Sequence, residues 1–162
     1  MNFFKILFKT KPADDETVVS LSKVQLFDNL SLNDLEELSL EIEEKNIDKD
    51  AIIFKENDES DGMYIIKNGG VNIVKQNDKG EEIVIVTLGN YDYFGEMSLI
   101  DNIKRTATVK TIIPTTLYFL SKENFNKMLK KNKNTTIKIL FNLSRTLSRR
   151  LELTTKNFIF KK

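Results

Sequence analysis

Gly95-Glu96 and Arg105-Thr106 are the residues of this chain whose types and spacing are best suited to chemistry. They frame the stretch FGEMSLIDNIKRTATV, residues 94–109. Met97-Ser98-Leu99-Ile100 suits one turn of helix, stopped by Asp101-Asn102. The first backbone N–H groups of such a turn lack intrahelical acceptors and form a cradle for an anion. Arg105, reaching back over the turn, would add the charge-assisted and bidentate bond that phosphate favours. Glu96, acceptor-only when ionised, would suit a sugar hydroxyl. Spacing alone leaves a second possibility open, in which Glu96 and Arg105 pair with each other and close an Ω-like loop.

The surrounding elements must hold this stretch in place. All six glycines fall between positions 62 and 95, so turns gather there. Ala51–Phe54, Met63–Ile66, Val71–Val74, Ile83–Leu88 and Thr116–Leu120 are rich in β-branched residues and read as short strands. Asn77-Asp78-Lys79-Gly80 reads as a hairpin loop. Ser31, with Asp34 three residues on, caps a helix to about Leu40, and Ser121 caps another to about Lys131. A third helix, from about Thr135 to Leu153, places Ile137, Leu140, Phe141, Ser144, Leu147 and Leu151 on one broad face. The expected fold class is α+β: an antiparallel, jelly-roll-like β-roll between N-terminal helices and a C-terminal helix pair. The expected boundaries are an extension over 1–20 and a domain over 21–162. Within the domain the roll spans about 48–120, the C-terminal helices about 121–153 and a tail 154–162.

Composition narrows the chemistry. The 162 residues include no Cys, no His and no Trp. Thiolate zinc sites, disulfides, cysteine nucleophiles and imidazole bases are thereby excluded. No nucleophile–base constellation stands out, so no enzyme and no metal site are expected. A cysteine-free chain accords with a reducing cytoplasm. Net charge is only +1, but residues 14–61 carry 16 acids against 4 bases, and residues 121–162 carry 12 Lys/Arg against Glu123 and Glu152. The two halves face each other or solvent, or the basic segment meets nucleic acid or an anionic membrane. MNFFKILFK at the start is too short for a signal peptide. Wound as a helix it is amphipathic, so residues 1–11 are a candidate membrane-surface contact.

The stretch from Phe94 to Val109 resembles the phosphate-binding cassette of the cyclic nucleotide-binding domain family, found in catabolite activators, protein kinase A regulatory subunits and cyclic-nucleotide-gated channels. Phe94, Gly95, Glu96, Met97, Ser98, Leu99 and Ile100, then Arg105, Thr106, Ala107, Thr108 and Val109, follow the pattern without insertion or deletion. Met63–Val71 and Leu88-Gly89 are similar to the family's upstream segments, and the resemblance covers about residues 24–153. Departures fall at Tyr91 and Asn57, where the family usually has Gly, and at Lys104, often Pro.

The resemblance implies cAMP or cGMP as ligand. It implies that Glu96 binds the ribose 2′-hydroxyl and Arg105 the exocyclic phosphate oxygens. Backbone N–H groups around Gly95, Met97, Ser98 and Ala107 would complete the phosphate site. Thr106 sits where some members use a hydroxyl on phosphate or guanine, and Ile73 and Val86 match positions that wall the purine. The third helix becomes a lid. About nine residues follow Leu153, too few for a helix-turn-helix domain, so DNA binding is not expected. The chain then acts as a stand-alone receptor that signals through a protein effector or a homodimer built on the C-terminal helix, or it is a ligand-silent scaffold of the same fold.

Overall fold

The computed structural model describes residues 15–159. Helix α1 (Asp15–Leu21) leads through a 3-10 turn (Gln25–Phe27) to α2 (Leu32–Ser39). Eight strands follow: β1 (Ile42–Ile47), β2 (Ile52–Phe54), β3 (Gly62–Asn68), β4 (Val71–Gln76), β5 (Glu82–Leu88), β6 (Tyr93–Phe94), β7 (Thr108–Thr111) and β8 (Thr115–Ser121). Helices α3 (Lys122–Lys131) and α4 (Lys133–Ile159) complete the chain. Every strand pair is antiparallel, in two four-stranded sheets ordered β1-β8-β3-β6 and β2-β7-β4-β5. This is the expected α+β roll, open at its edges rather than closed into a barrel.

Strands β3 and β8 are buried on both faces and divide the core in two. Met63, Ile65, Tyr118 and Leu120 face the helices, where Leu21, Leu26, Leu38, Phe125, Ile139 and Leu143 cover them. Tyr64, Ile66, Leu117 and Phe119 point the other way, into the roll, against Val71, Phe94 and Val109. Double burial explains why Met63–Ile66 reads as an unbroken apolar run instead of an alternating one. Inside the roll, Tyr64 stacks on Phe94 with ring centroids 5.3 Å apart and meets Phe119 at 4.8 Å, and Phe54 leans on both Tyr64 and Phe94 at 5.9 Å. This aromatic block fixes the floor beneath residues 94–109.

Several boundaries differ from the expected ones. The roll begins at Ile42, not near 48. Strand β1 is an edge strand of sequence IEEKNI, and its charged residues hide a backbone that pairs with β8 from Ile42↔Leu120 to Ile47↔Thr115. Residues 15–20, placed in the extension, form most of α1, and Val18 and Leu21 lie in the helix-side core. Lys67 holds α1 to the sheet through Glu16 at 3.0 Å and Glu44 at 2.9 Å. Helix α4 begins at Lys133 and runs to Ile159, six residues past the expected end. The candidate membrane contact at residues 1–11 lies outside the described residues. Among the described residues, no helix is long and apolar enough to cross a membrane.

The lower half of α4 is anchored by polar bonds. Asn142, 9% exposed, donates its amide to the carbonyls of Leu26 at 3.0 Å and Asp28 at 2.8 Å. Asp34 forms the expected capping box with Ser31 and also accepts from Lys138 at 2.7 Å and from the Thr135 hydroxyl. Burial pushes the Asp34 carboxyl up, but its bonds from Lys138, Thr135 and Ser31 outweigh this and hold it well below the usual carboxylate range. A carboxylate whose folded value is depressed stabilises the fold above its unfolded pKa of about 3.9 and loses that contribution as pH falls. Asp34→Asn is therefore expected to cost about 1 kcal/mol at pH 7. In urea melts across pH, the gap between wild type and variant should close below about pH 4.

Candidate functional site

The site is built on the corner that follows β6. Gly95 turns left-handed, with φ 75° and ψ 12°, and starts the 3-10 turn Glu96–Leu99. A Cβ at position 95 would stand 2.5 Å from the Arg105 Nη1, so both conformation and space require glycine here. The Ser98 hydroxyl donates to the Gly95 carbonyl at 2.7 Å, and the amides of Ile100 and Asp101 close on the Met97 carbonyl at 3.1 Å. The amides opening the turn, at Glu96 and Met97, have no carbonyl within it.

Arg105 enters from the opposite wall, and its backbone is clamped before its side chain is placed. Its N–H donates to the Asp58 carbonyl at 2.9 Å, and its own carbonyl accepts from Asn57 N–H at 2.8 Å. Asn57 and Tyr91 both adopt φ 70°, which accounts for glycine being usual at these positions in the family the cassette resembles. The Arg105 side chain is 5% exposed. Its Nη2 bonds Asp61 Oδ1 at 2.9 Å, its Nη1 reaches the Gly95 carbonyl at 3.4 Å, and its Cζ lies 4.1 Å from the Phe54 ring centroid. The Nε is buried and has no hydrogen-bond partner among the described residues. A buried guanidinium with an unsatisfied donor, tied by Nη1 to the Gly95 carbonyl, is the kind of group that calls for an explanation.

Glu96 does not pair with Arg105. It is 4% exposed, and its Oε1 is held by Arg150 Nη1 from α4. Its Oε2 has no partner among the described residues. The loop-closing ion pair allowed by spacing is thus replaced by two separate pairs, Arg105–Asp61 and Glu96–Arg150. The Arg150 Cζ also lies 5.6 Å from the Tyr93 ring centroid, and the Tyr93 hydroxyl donates to Thr146 at 3.2 Å. Burial pushes the Tyr93 phenol above its ordinary value, which keeps that donor protonated.

Gly95, Glu96, Met97, Ser98, Arg105, Thr106, Ala107, Ile73 and Val86 all line one cavity of about 320 Å³. Its apolar wall comes from Ile73 and Val86, direct partners across the β4–β5 ladder, with Leu88 beside them. The polar end carries Glu96, Ser98, Arg105 and Thr106, and Arg150 joins the rim. Volume and lining match a small-molecule site with a few convergent polar groups. Sequence reasoning missed Asp61 and Arg150. Arg150 follows Ile139, Leu143 and Thr146 at helical spacing on one face of α4. That face was the one available signal, and Arg145 and Arg149 blur it.

Fold and site together define an open β-roll with a cavity at the corner after β6, bordered by Arg150 of the C-terminal helix. Residues 44–132 match the family model described as the cyclic nucleotide-binding domain. The chain belongs to that family. Mouse cyclic nucleotide-gated channel alpha-4 is 34% identical over 117 residues, covering 68% of this chain and 20% of the channel. The crystal structure of a cyclic nucleotide-binding domain from Methylobacillus flagellatus superposes with TM-score 0.78 at 24% identity, covering 91% of this chain and 83% of that one. The regulatory domain of Toxoplasma gondii protein kinase A, crystallised with cAMP, has TM-score 0.64 and 33% identity, covering 69% of this chain and 42% of that one. The chain spans less than a third of the length of the curated relatives it matches. The family match ends at Asn132, so α4 lies beyond it.

Proposed function

We propose that this chain is a receptor module for cAMP or cGMP that acts by binding alone, in the cytoplasm. The observation that carries the reading is Arg105, buried and with an Nε that has no hydrogen-bond partner among the described residues, lining one cavity with Glu96, Met97 and Ser98. In this reading the cyclic phosphate takes the Arg105 donors and the amide cradle. Glu96 Oε2 accepts from the ribose 2′-hydroxyl, and the base lies along Ile73 and Val86. Thr106 lines the same cavity. The residues present accommodate such a ligand without a metal, because the counter-charge comes from Arg105.

Output runs through α4 in this reading. A ligand shifts a conformational equilibrium only by favouring one arrangement over another, and α4 is the element that already touches the sugar corner. Ile137 and Phe141 on α4 are 60% and 64% exposed and offer a surface to a protein effector or to a second copy. The competing scaffold reading draws on the same ion pairs, since Asp61 and Arg150 already partner both ligand residues. Calorimetric titration with cAMP, cGMP and linear 5′-AMP separates the two. Saturable binding of a cyclic nucleotide in preference to 5′-AMP is expected. Absence of heat and of thermal shift at millimolar cAMP and cGMP would leave the scaffold.

A further inference from the structure

We propose that Lys104 is a specificity-determining residue that lets the cavity accept an acyclic nucleoside monophosphate beside the cyclic ligand. The inference rests on the nucleotide-receptor reading above and concerns how sharply that site separates a phosphodiester ring from a phosphomonoester. Among the described residues, the cavity is lined by three cations, Lys104, Arg105 and Arg150, and by one carboxylate, Glu96. Glu96 matches Arg150 within the lining, which leaves the neighbours Lys104 and Arg105. A cyclic phosphodiester carries a single negative charge, and in the receptor reading Arg105 meets it. Lys104 is then a lining cation with no counterpart in the lining. A phosphomonoester supplies that counterpart, because it takes on a second negative charge above a pKa of about 6.

The side chain of Lys104 is loosely held and its backbone is not. Its Nζ stands 3.4 Å from Glu59, and the two side chains are 62% and 87% exposed. An ion pair so exposed is weak and gives way to a better anion at little cost. The backbone on both sides is fastened to one segment. The Ser60 hydroxyl donates to the Ile103 carbonyl, and the Arg105 N–H donates to the Asp58 carbonyl at 2.9 Å. Both peptide groups of Lys104 are thereby fixed, so a flexible ammonium is carried on an anchored point next to Arg105. Its compact charge answers a second phosphate charge without demanding the planar geometry of a guanidinium. Glu59 and Asp61, the present counter-ions of Lys104 and Arg105, are both exposed and rehydrate when phosphate replaces them.

The test titrates the full chain with whichever of cAMP and cGMP binds more tightly and with the matching linear 5′-monophosphate, in wild type, Lys104→Ala, Lys104→Arg and Glu59→Gln. At pH 7, Lys104→Ala should weaken the 5′-monophosphate about fivefold and the cyclic ligand less than about twofold, the scale of one exposed ion pair. The preference for the cyclic ligand, narrow in wild type, should widen accordingly. Lys104→Arg should keep the wild-type ratio, and Glu59→Gln should tighten the 5′-monophosphate about twofold by releasing Lys104. Between pH 5 and pH 7 the 5′-monophosphate gains its second charge, so wild-type affinity for it should rise, and the rise should shrink in Lys104→Ala. The cyclic ligand gains no charge there and is the control. The chain has no His and no Cys, so side chains of ordinary pKa exchange no protons in this window. The groups around the site are Lys104, Arg105 and Arg150, the carboxylates Glu59, Asp61 and Glu96, and the Tyr93 phenol, which burial pushes upward. Equal weakening of both ligands or of neither in Lys104→Ala, or a pH rise that the variant leaves unchanged, overturns the inference and leaves the receptor reading intact. So does a wild-type chain that binds the cyclic ligand and not the 5′-monophosphate. A wild-type chain that binds no nucleotide overturns both.

Discussion

Arg105→Ala is expected to lower cyclic nucleotide affinity about a hundredfold, the equivalent of about 3 kcal/mol for charged hydrogen bonds lost at a desolvated site. The magnitude follows from where the guanidinium sits. It is 5% exposed, and the Phe54 ring lies against it, so bulk solvent cannot replace it as a donor to phosphate. Part of the interaction is offset because Asp61 must give up Nη2 or share it. Asp61 is 67% exposed and can rehydrate, so its release costs little. The Nε has no hydrogen-bond partner among the described residues to lose. Arg105→Lys retains the charge without the fork and should fall between wild type and alanine. Calorimetry on all three, with circular dichroism to confirm folding, decides the matter. Equal affinities in folded wild type and Arg105→Ala would remove the phosphate assignment.

The sequence disclosed the Gly95–Arg105 corner more completely than the frame around it, for physical reasons. Gly95, Glu96 and Arg105 belong to a short local segment, where left-handed backbone, an anion cradle and a returning cation leave residue-type signatures at fixed spacing. Long-range pairing leaves no such mark. Asp61 meets Arg105 from 44 residues away, and nothing in the acidic run Glu56–Asp61 singles it out from Asp58 or Glu59. Strand β1 was invisible because an edge strand facing solvent carries charges, and three of its six residues are Glu43, Glu44 and Lys45. The short β6 and β7 offer too few residues for a period and are legible only as flanks of the corner: Tyr93-Phe94 reads as strand-like, and the strand expected to open at Arg105-Thr106 begins at Thr108. The end of α4 was misjudged for a different reason: Thr154, Thr155 and Lys156 neither stop a helix nor mark an apolar face. By contrast, the capping box at Ser31 and Asp34 announces the start of α2, which follows its cap at Leu32, because caps are local chemistry.

That contrast sharpens the expectation for Gly95→Ala. At φ 75° an alanine costs about 1–2 kcal/mol of backbone strain, whatever space is available. Space is not available either, since the new Cβ would meet Arg105 Nη1 at 2.5 Å. The atom in the way is the far end of a flexible side chain, so the fold survives by letting the guanidinium move. The ligand site has no equivalent freedom. Displacing Nη1 separates Arg105 from the Gly95 carbonyl and from the amides of the 3-10 turn that must share the same phosphate. An affinity loss of about thirtyfold, or about 2 kcal/mol, is expected on top of the strain, because misalignment weakens rather than deletes the charged bond. Stability and affinity should therefore separate in the double variant Gly95→Ala/Arg105→Ala. Removing the guanidinium relieves the clash and leaves only the strain, so chemical denaturation should show Gly95→Ala costing less stability in the Arg105→Ala background than in wild type. Affinity should stay near that of Arg105→Ala alone. If Gly95→Ala reduced affinity equally in both backgrounds, the glycine would be serving the amide cradle alone, without holding a place for the guanidinium.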